Sequence, residues 1–292
     1  MSEPVGIGRT VQAEIYSDGA FGRLPRVPVR PDALQAAARR RMSRRGFAYV
    51  AGSAGSERTT RANRDAFDRW RIVPRMLRDV AERDTGVEVY GRRLPAPFLL
   101  APVGVLSMAH SGADTAVARA AAGLGVPMIF SNQASRPMEE CAAAMGDAPR
   151  WFQLYWSSSN DLVASLVARA ESSGCEAIVV TLDTHMLGWR PRDLDLGSLP
   201  FARGEGIAQY TSDPVFTEMV KARAARPRSG TQPRPTLTAL RTLAALTQAY
   251  PGSLLGNLRS PYARAAVETF LEVFSRSDLT WEDLSYLRER TS

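Results

Sequence analysis

The chain has 292 residues, 45% hydrophobic and 23% charged, with a net charge of +7; these are globular values, with room for one large domain or two ordinary ones. No window approaches the ~18 uninterrupted apolar residues of a membrane span. Met1-Ser-Glu-Pro-Val5 also lacks a basic stretch leading into an apolar run, so no transmembrane segment or secretory signal is expected. Two cysteines without paired spacing, Cys141 and Cys175, read as core or incidental thiols and suit a reducing cytoplasm.

In chain order, residues 1–31 are rich in Gly, Pro and Arg and read as an extended arm. Asp32 is placed to cap a helix through Arg45, with Gly46 ending it and Phe47–Gly52 following as a buried segment that carries Tyr49 inward. Within that helix lies Arg39-Arg-Arg-Met-Ser-Arg-Arg45. It has no interleaved aromatics, and its neighbours Ala36, Ala37, Ala38 and Met42 make it a solvated helix face, so no nucleic-acid partner is expected. Nearly all the positive charge is arginine, since Lys221 is the only lysine. Residues 56–67 predict a second helix, and 87–94 alternate around Tyr90-Gly91 as a hairpin does.

A repeating unit begins at Phe98-Leu-Leu-Ala-Pro102, a continuously apolar strand followed by an alanine-rich helix over 112–123. The next strand is Met128-Ile-Phe-Ser-Asn132, and the next helix Met138–Met145. Then come Trp151-Phe-Gln-Leu-Tyr-Trp156, a helix over 160–174 with Leu162, Val163, Leu166, Val167 and Ala170 on one face, and Ile178-Val-Val-Thr-Leu-Asp183. Strand, helix, strand implies parallel neighbours and a right-handed crossover. Polar groups at strand ends then gather at one mouth, which predicts Gln153, Tyr155, Thr181, Asp183 and Arg190 together, without a metal-ligand cluster. After Asp193 the rhythm breaks: residues 194–279 hold Pro, Gly, Arg and Ser in quantity, with helical patches near 237–249 and 261–275. A long excursion at the loop end of a strand reads as a lid, with a disordered insertion as the bland alternative. Thr280 with Asp283 forms a capping box in pattern, and Trp281, Leu284 and Leu287 share a face of the helix that follows.

The expected organisation is 1–96, an N-terminal arm with helices and hairpin; 97–193, four barrel strands with their helices; 194–279, a lid; and 280–292, the fourth barrel helix. The fold class is α/β of the TIM (β/α)8-barrel type, which needs eight such units. Four are visible, so a half barrel is expected, with open edges and an apolar concave face.

An ordered set of motifs resembles the FMN-dependent (S)-2-hydroxy acid oxidases and dehydrogenases, and within them the lactate 2-monooxygenase branch. These are Tyr49-Val-Ala-Gly52, Arg61-Ala-Asn63, Pro74-Arg-Met-Leu77, Ala101-Pro-Val-Gly104, Phe152-Gln-Leu-Tyr155, Thr181-Leu-Asp-Thr184 and Gly188-Trp-Arg-Pro-Arg-Asp193. The resemblance runs from about Glu14 to the last residue and weakens over 220–275. It implies FMN as cofactor, L-lactate or a similar short 2-hydroxy acid as substrate and O2 as electron acceptor. It also implies roles. Pro102, Val103 and Gly104 would lie against the flavin, and Ser131, Gln153 and Thr181 would hydrogen-bond its ring. Tyr49 and Tyr155 would bind the substrate, with Arg190 favouring anions at the mouth, and Asp183 would pair with the imidazole of the base. In the family the flavin lysine, base histidine, arginine clamp and phosphate site lie on later strands, which this sequence would place beyond Ser292. The expected alternative to an active enzyme is therefore an inactive half barrel. The expected partners are a second copy or a complementing C-terminal half.

Overall fold

A computed structural model describes residues 7–226 and 236–291. Its centre is a three-stranded parallel sheet of β3 (Met128–Phe130), β4 (Arg150–Leu154) and β5 (Ile178–Val180), in that order. Phe130 pairs with Phe152, and Phe152 with Ile178. Phe152 and Leu154 are fully buried on one face, because parallel strands are covered by their crossover helices. Those helices are α5 (Ala113–Leu124), α6 (Met138–Met145) and α7 (Asn160–Ser172). All five residues expected on one face of α7 are buried, and Ser159 caps it by accepting a hydrogen bond from the Leu162 amide. The opposite sheet face carries Ile129 and Trp151, which pair across the strands and stay half-buried. Tyr90 rests on Trp151 with ring centroids 5.6 Å apart. Tyr90 comes from the turn between β1 (Val87–Val89) and β2 (Arg92–Leu94), where Tyr90 and Gly91 adopt φ 48° and 74°, the left-handed pair of a tight hairpin turn.

Several expectations are corrected. The arm is not extended over its first half: α1 spans Ile7–Gly19, since the prolines that suggested a coil flank this stretch rather than interrupt it. The single helix from Asp32 to Arg45 is two. α2 (Pro31–Arg41) stops at Met42, and α3 (Arg44–Ala51) restarts with Ser43 accepting a hydrogen bond from the Gly46 amide. Gly46 is therefore in a first turn, not at an end, and Tyr49 is helical. The helix expected over 56–67 is α4 (Arg58–Asp65), followed by a 3-10 turn. The strand expected at Phe98–Pro102 reduces to one parallel bridge, Leu100 to Met128; Phe98 and Val103 are about half exposed, so little burial supports a longer strand there.

The excursion after Asp193 is largely helical. After α8 (Pro191–Leu194), which spans its start, it comprises α9 (Ala208–Thr211), α10 (Pro214–Ala224), α11 (Leu237–Ala249), α12 (Leu254–Arg259) and α13 (Tyr262–Val273). The Pro-rich stretch 227–235 lies outside the described residues. Elsewhere the segment is core rather than disorder: Phe201, Tyr210, Phe216 and Phe270 are buried, and Tyr210 meets Phe270 edge-on at 4.9 Å. Asp213 caps α10 through the Val215 and Phe216 amides and accepts from Arg169 at 3.2 Å and Ser165 at 2.8 Å. Arg169 also reaches Glu139 at 2.8 Å and the Gln209 carbonyl at 2.7 Å, so one arginine joins α6, α7 and the excursion. The capping box at Thr280 and Asp283 is present, ahead of α14 (Leu284–Arg288). Trp281 departs from the expected face: it is 74% exposed while Leu287 is buried, because a 3-10 turn at 281–283 breaks the α-helical phase.

Candidate functional site

Alternation along the strands puts Ser131, Gln153 and Thr181 on one side of the sheet at its carboxyl end. They form a continuous row. The Gln153 amide nitrogen donates to Thr181 Oγ1 at 2.8 Å, and its oxygen accepts from Ser131 Oγ at 3.2 Å and from the Asn132 amide at 3.3 Å. The row is backed by the turn after β3. There the Gln133 amide donates to Ser131 Oγ at 3.1 Å, and the Val105 amide to the Gln133 carbonyl at 2.9 Å. Pro102, Val103 and Gly104 lead into that contact. A Cβ on Gly104 would stand 3.4 Å from Gln133 and 3.7 Å from Ser131 Oγ, so the glycine brings bare backbone beside the row.

Beside it opens a cavity of about 700 Å³ lined by Tyr49, Tyr155, Asp183 and Arg190, among others. Four of the expected site residues therefore share one space, while Ser131, Gln153 and Thr181 form the adjoining row. Arg190 is held from two sides, by Asp193 Oδ2 at 2.6 Å and by the Tyr49 carbonyl. Its guanidinium stands 4.9 Å from the centre of the Tyr49 ring, a cation–π geometry. Burial raises the Tyr49 pKa and Arg190 opposes the shift, so the phenol is protonated at neutral pH. The loop after Tyr49 is tied to the same motif: Arg192 pairs with Glu57 at 2.6 Å, and the Gly55 amide donates to the Trp189 carbonyl at 2.8 Å. The backbone amide of Tyr155 donates to Asn132 Oδ1 at 2.8 Å. Asp183 is exposed and accepts from Thr184 Oγ1 at 3.2 Å. Among the described residues neither histidine joins it. His185 Nδ1 lies 3.4 Å from the Arg276 carbonyl, and His110 Nδ1 accepts from the Gly112 amide at 3.0 Å.

Sequence reasoning missed the contribution of α9. Gln209, fully buried, donates to the Ser131 carbonyl at 3.3 Å and accepts from the Met138 amide at 3.0 Å. Tyr210 faces the Asn132 amide, although the Tyr210 hydroxyl and Asn132 Nδ2 both lack a well-formed hydrogen bond. Local pattern held no signal for this, since the partners are far apart in sequence. Among the described residues no group of His, Cys, Asp and Glu could hold a metal ion, and no helix is long and apolar enough to cross a membrane.

Comparison with known proteins adds three kinds of likeness. A family model described as FMN-dependent dehydrogenase matches residues 38–292. An FMN-dependent alpha-hydroxy acid dehydrogenase of Penicillium citrinum is 41% identical over 214 residues, covering 73% of this chain and 53% of that protein. An L-lactate oxidase of Lysinibacillus sphaericus is 44% identical over 170 residues, covering 58% and 44%. A crystal structure of mandelate oxidase with (S)-4-hydroxymandelic acid superposes with a TM-score of 0.65 at 30% identity, covering 89% of this chain and 61% of that one. The chain spans about half the length of the curated relatives it matches.

Proposed function

Because the chain belongs to the FMN-dependent dehydrogenase family, whose relatives are 2-hydroxy acid oxidoreductases of TIM-barrel fold, we propose that its site serves FMN-dependent oxidation of an (S)-2-hydroxy acid. The observation that carries this reading is the Ser131–Gln153–Thr181 row beside the cavity of Tyr49, Tyr155 and Arg190.

The residues present fit the cofactor. The row is neutral and offers an amide and two hydroxyls, which can both donate and accept, as the alternating carbonyl and N–H edge of a flavin ring requires. Gly104 leaves backbone open against the row, where Pro102, Val103 and Gly104 would meet the ring. When bound, FMN supplies the two-electron acceptor that turns a 2-hydroxy acid into its 2-keto acid, with O2 as the final acceptor.

The chain's own residues bind and orient the substrate. Tyr49, kept protonated by burial, donates to the substrate carboxylate, and Tyr155 binds the hydroxyl. Arg190 is already oriented by Asp193 and the Tyr49 carbonyl, so it favours an anion without further ordering. Asp183 would hold the tautomer of an imidazole base and stabilise its cation. This set needs only the carboxylate and the hydroxyl-bearing carbon, which a short 2-hydroxy acid such as L-lactate supplies. In the monooxygenase branch the products would be acetate, CO2 and water.

A second reading is a half barrel that needs a complementing half to supply the base, and Asp183 favours it, having no imidazole beside it among the described residues. One experiment decides. The chain is loaded with FMN, stripped of free flavin, and its visible absorbance followed as L-lactate is added without oxygen. Retained flavin that bleaches supports oxidation by this chain. Retained flavin that stays yellow favours complementation, and a soluble chain that retains none refutes the flavin site.

A further inference from the structure

We propose that the cavity continues past Tyr49 and Tyr155 into a second anion subsite formed by Arg45 and Arg203. It would take a 2-hydroxy acid whose side chain has an apolar middle and ends in a second carboxylate. The proposal rests on the 2-hydroxy acid reading and specifies what occupies the remainder of that site.

Size is the first reason. A cavity of about 700 Å³ falls in the range that encloses ligands of many heavy atoms, more than lactate alone would fill. The second reason is the lining. Leu199, Phe201 and Phe274 face the same space. Two of them are fixed from behind by Phe270, whose ring centroid lies 5.2 Å from each. A rigid apolar wall of this kind favours methylenes over water.

The third reason is charge. Arg45 and Arg203 both line the cavity. Arg190, oriented by Asp193, serves the first carboxylate, and Arg192 is paired with Glu57; Arg45 makes no hydrogen bond or ion pair among the described residues. Arg203 has only loose partners, Thr242 at 3.4 Å and Glu205 at 3.9 Å, although its side chain is 22% exposed. Burial raises the Glu205 pKa, and the Arg203 and Arg45 guanidiniums oppose it, so the region where both arginines line the cavity holds two cations against one carboxylate. Arg45 and Tyr49 share one face of α3 at i and i+4, and the helix rises ~6 Å over that interval. A carboxylate held at Tyr49 and a second one at Arg45 are therefore separated by several carbon–carbon bonds. That spacing selects a side chain longer than that of malate.

The test compares (S)-2-hydroxyadipate with (S)-2-hydroxyhexanoate, acids of equal chain length differing in the second carboxylate. Binding to the FMN-loaded chain is measured by calorimetry for the parent and for Arg45→Gln and Arg203→Gln together. The expected result is about 10-fold tighter binding of the dicarboxylate by the parent. The double variant should lose that preference while its affinity for hydroxyhexanoate stays within about twofold. Unchanged melting temperatures would show that the variant is folded. Equal affinity of the parent for both acids, or a loss shared by both acids in the variant, overturns the subsite alone. Failure of both acids to bind overturns the subsite together with the 2-hydroxy acid reading beneath it.

Discussion

Gln153 uses both ends of its amide, one toward Thr181 and the other toward Ser131 and the Asn132 amide. Truncation leaves buried hydroxyl and amide groups short of partners, a cost of about 1–3 kcal/mol. If Gln153 holds the flavin as proposed, Gln153→Ala is expected to weaken FMN retention at least ~10-fold with the far-ultraviolet spectrum unchanged; equilibrium dialysis would show it, and undiminished retention would rule that role out. Asp114 offers a pH test away from the site. It is buried, accepts from the Ser135 amide at 2.8 Å, and burial raises its pKa. A raised folded pKa means a stabilising contribution that is full below the unfolded value and is lost as pH rises through the folded one. Relative to Asp114→Asn, the parent should gain stability between pH 7 and pH 4 in urea unfolding; a gap independent of pH would contradict the burial argument. Cys141 and Cys175, whose thiols burial pushes up to about 12, should resist alkylation at pH 8 until the chain unfolds.

At the scale of elements, α7 shows what pattern alone reveals. Its five apolar residues recur at helical spacing, and Leu166, fully buried, should cost about 2–5 kcal/mol on truncation to Ala; a smaller loss in denaturant unfolding would mean that α7 is not packed as described. Three of the four expected strands and the hairpin were legible for the same reason: short apolar runs ending in polar groups report the sheet and its carboxyl end, where Gln153 and Thr181 were expected together. Ser131 joined them only through the family resemblance, and the run at Phe98–Pro102 keeps a single bridge. What escaped was set by partners remote in sequence. Gln209 and Tyr210 read as loop residues because nothing nearby shows that they pack behind Ser131 and Asn132. The split of α2 from α3 turned on one Ser43 cap, which competed with a run of good helix formers around it. Trp281 was misplaced because a 3-10 turn shifts phase by a fraction of a residue per step.

For the whole molecule, one uneven feature is the stretch after α4. Trp70, Ile72 and Leu77 are 79%, 96% and 105% exposed, and contiguous apolar exposure of this kind marks a surface that meets something or aggregates. Ile72→Asp with Leu77→Asp is expected to lower binding of a hydrophobic dye and to reduce concentration-dependent association in sedimentation. Unchanged behaviour would locate the sticky surface elsewhere, the half-buried Ile129–Trp151 face being the next candidate. The end of β4 carries a different consequence. Ser157 Oγ donates to the Val273 carbonyl at 2.6 Å across 116 residues, and the Ser158 amide donates to the same oxygen at 3.1 Å. A ribosome adding ~5–20 residues per second needs on the order of 10 s to bridge that interval. Throughout that time the nascent strand that carries Gln153 and Tyr155 waits without its clasp, and a chaperone would find it there first.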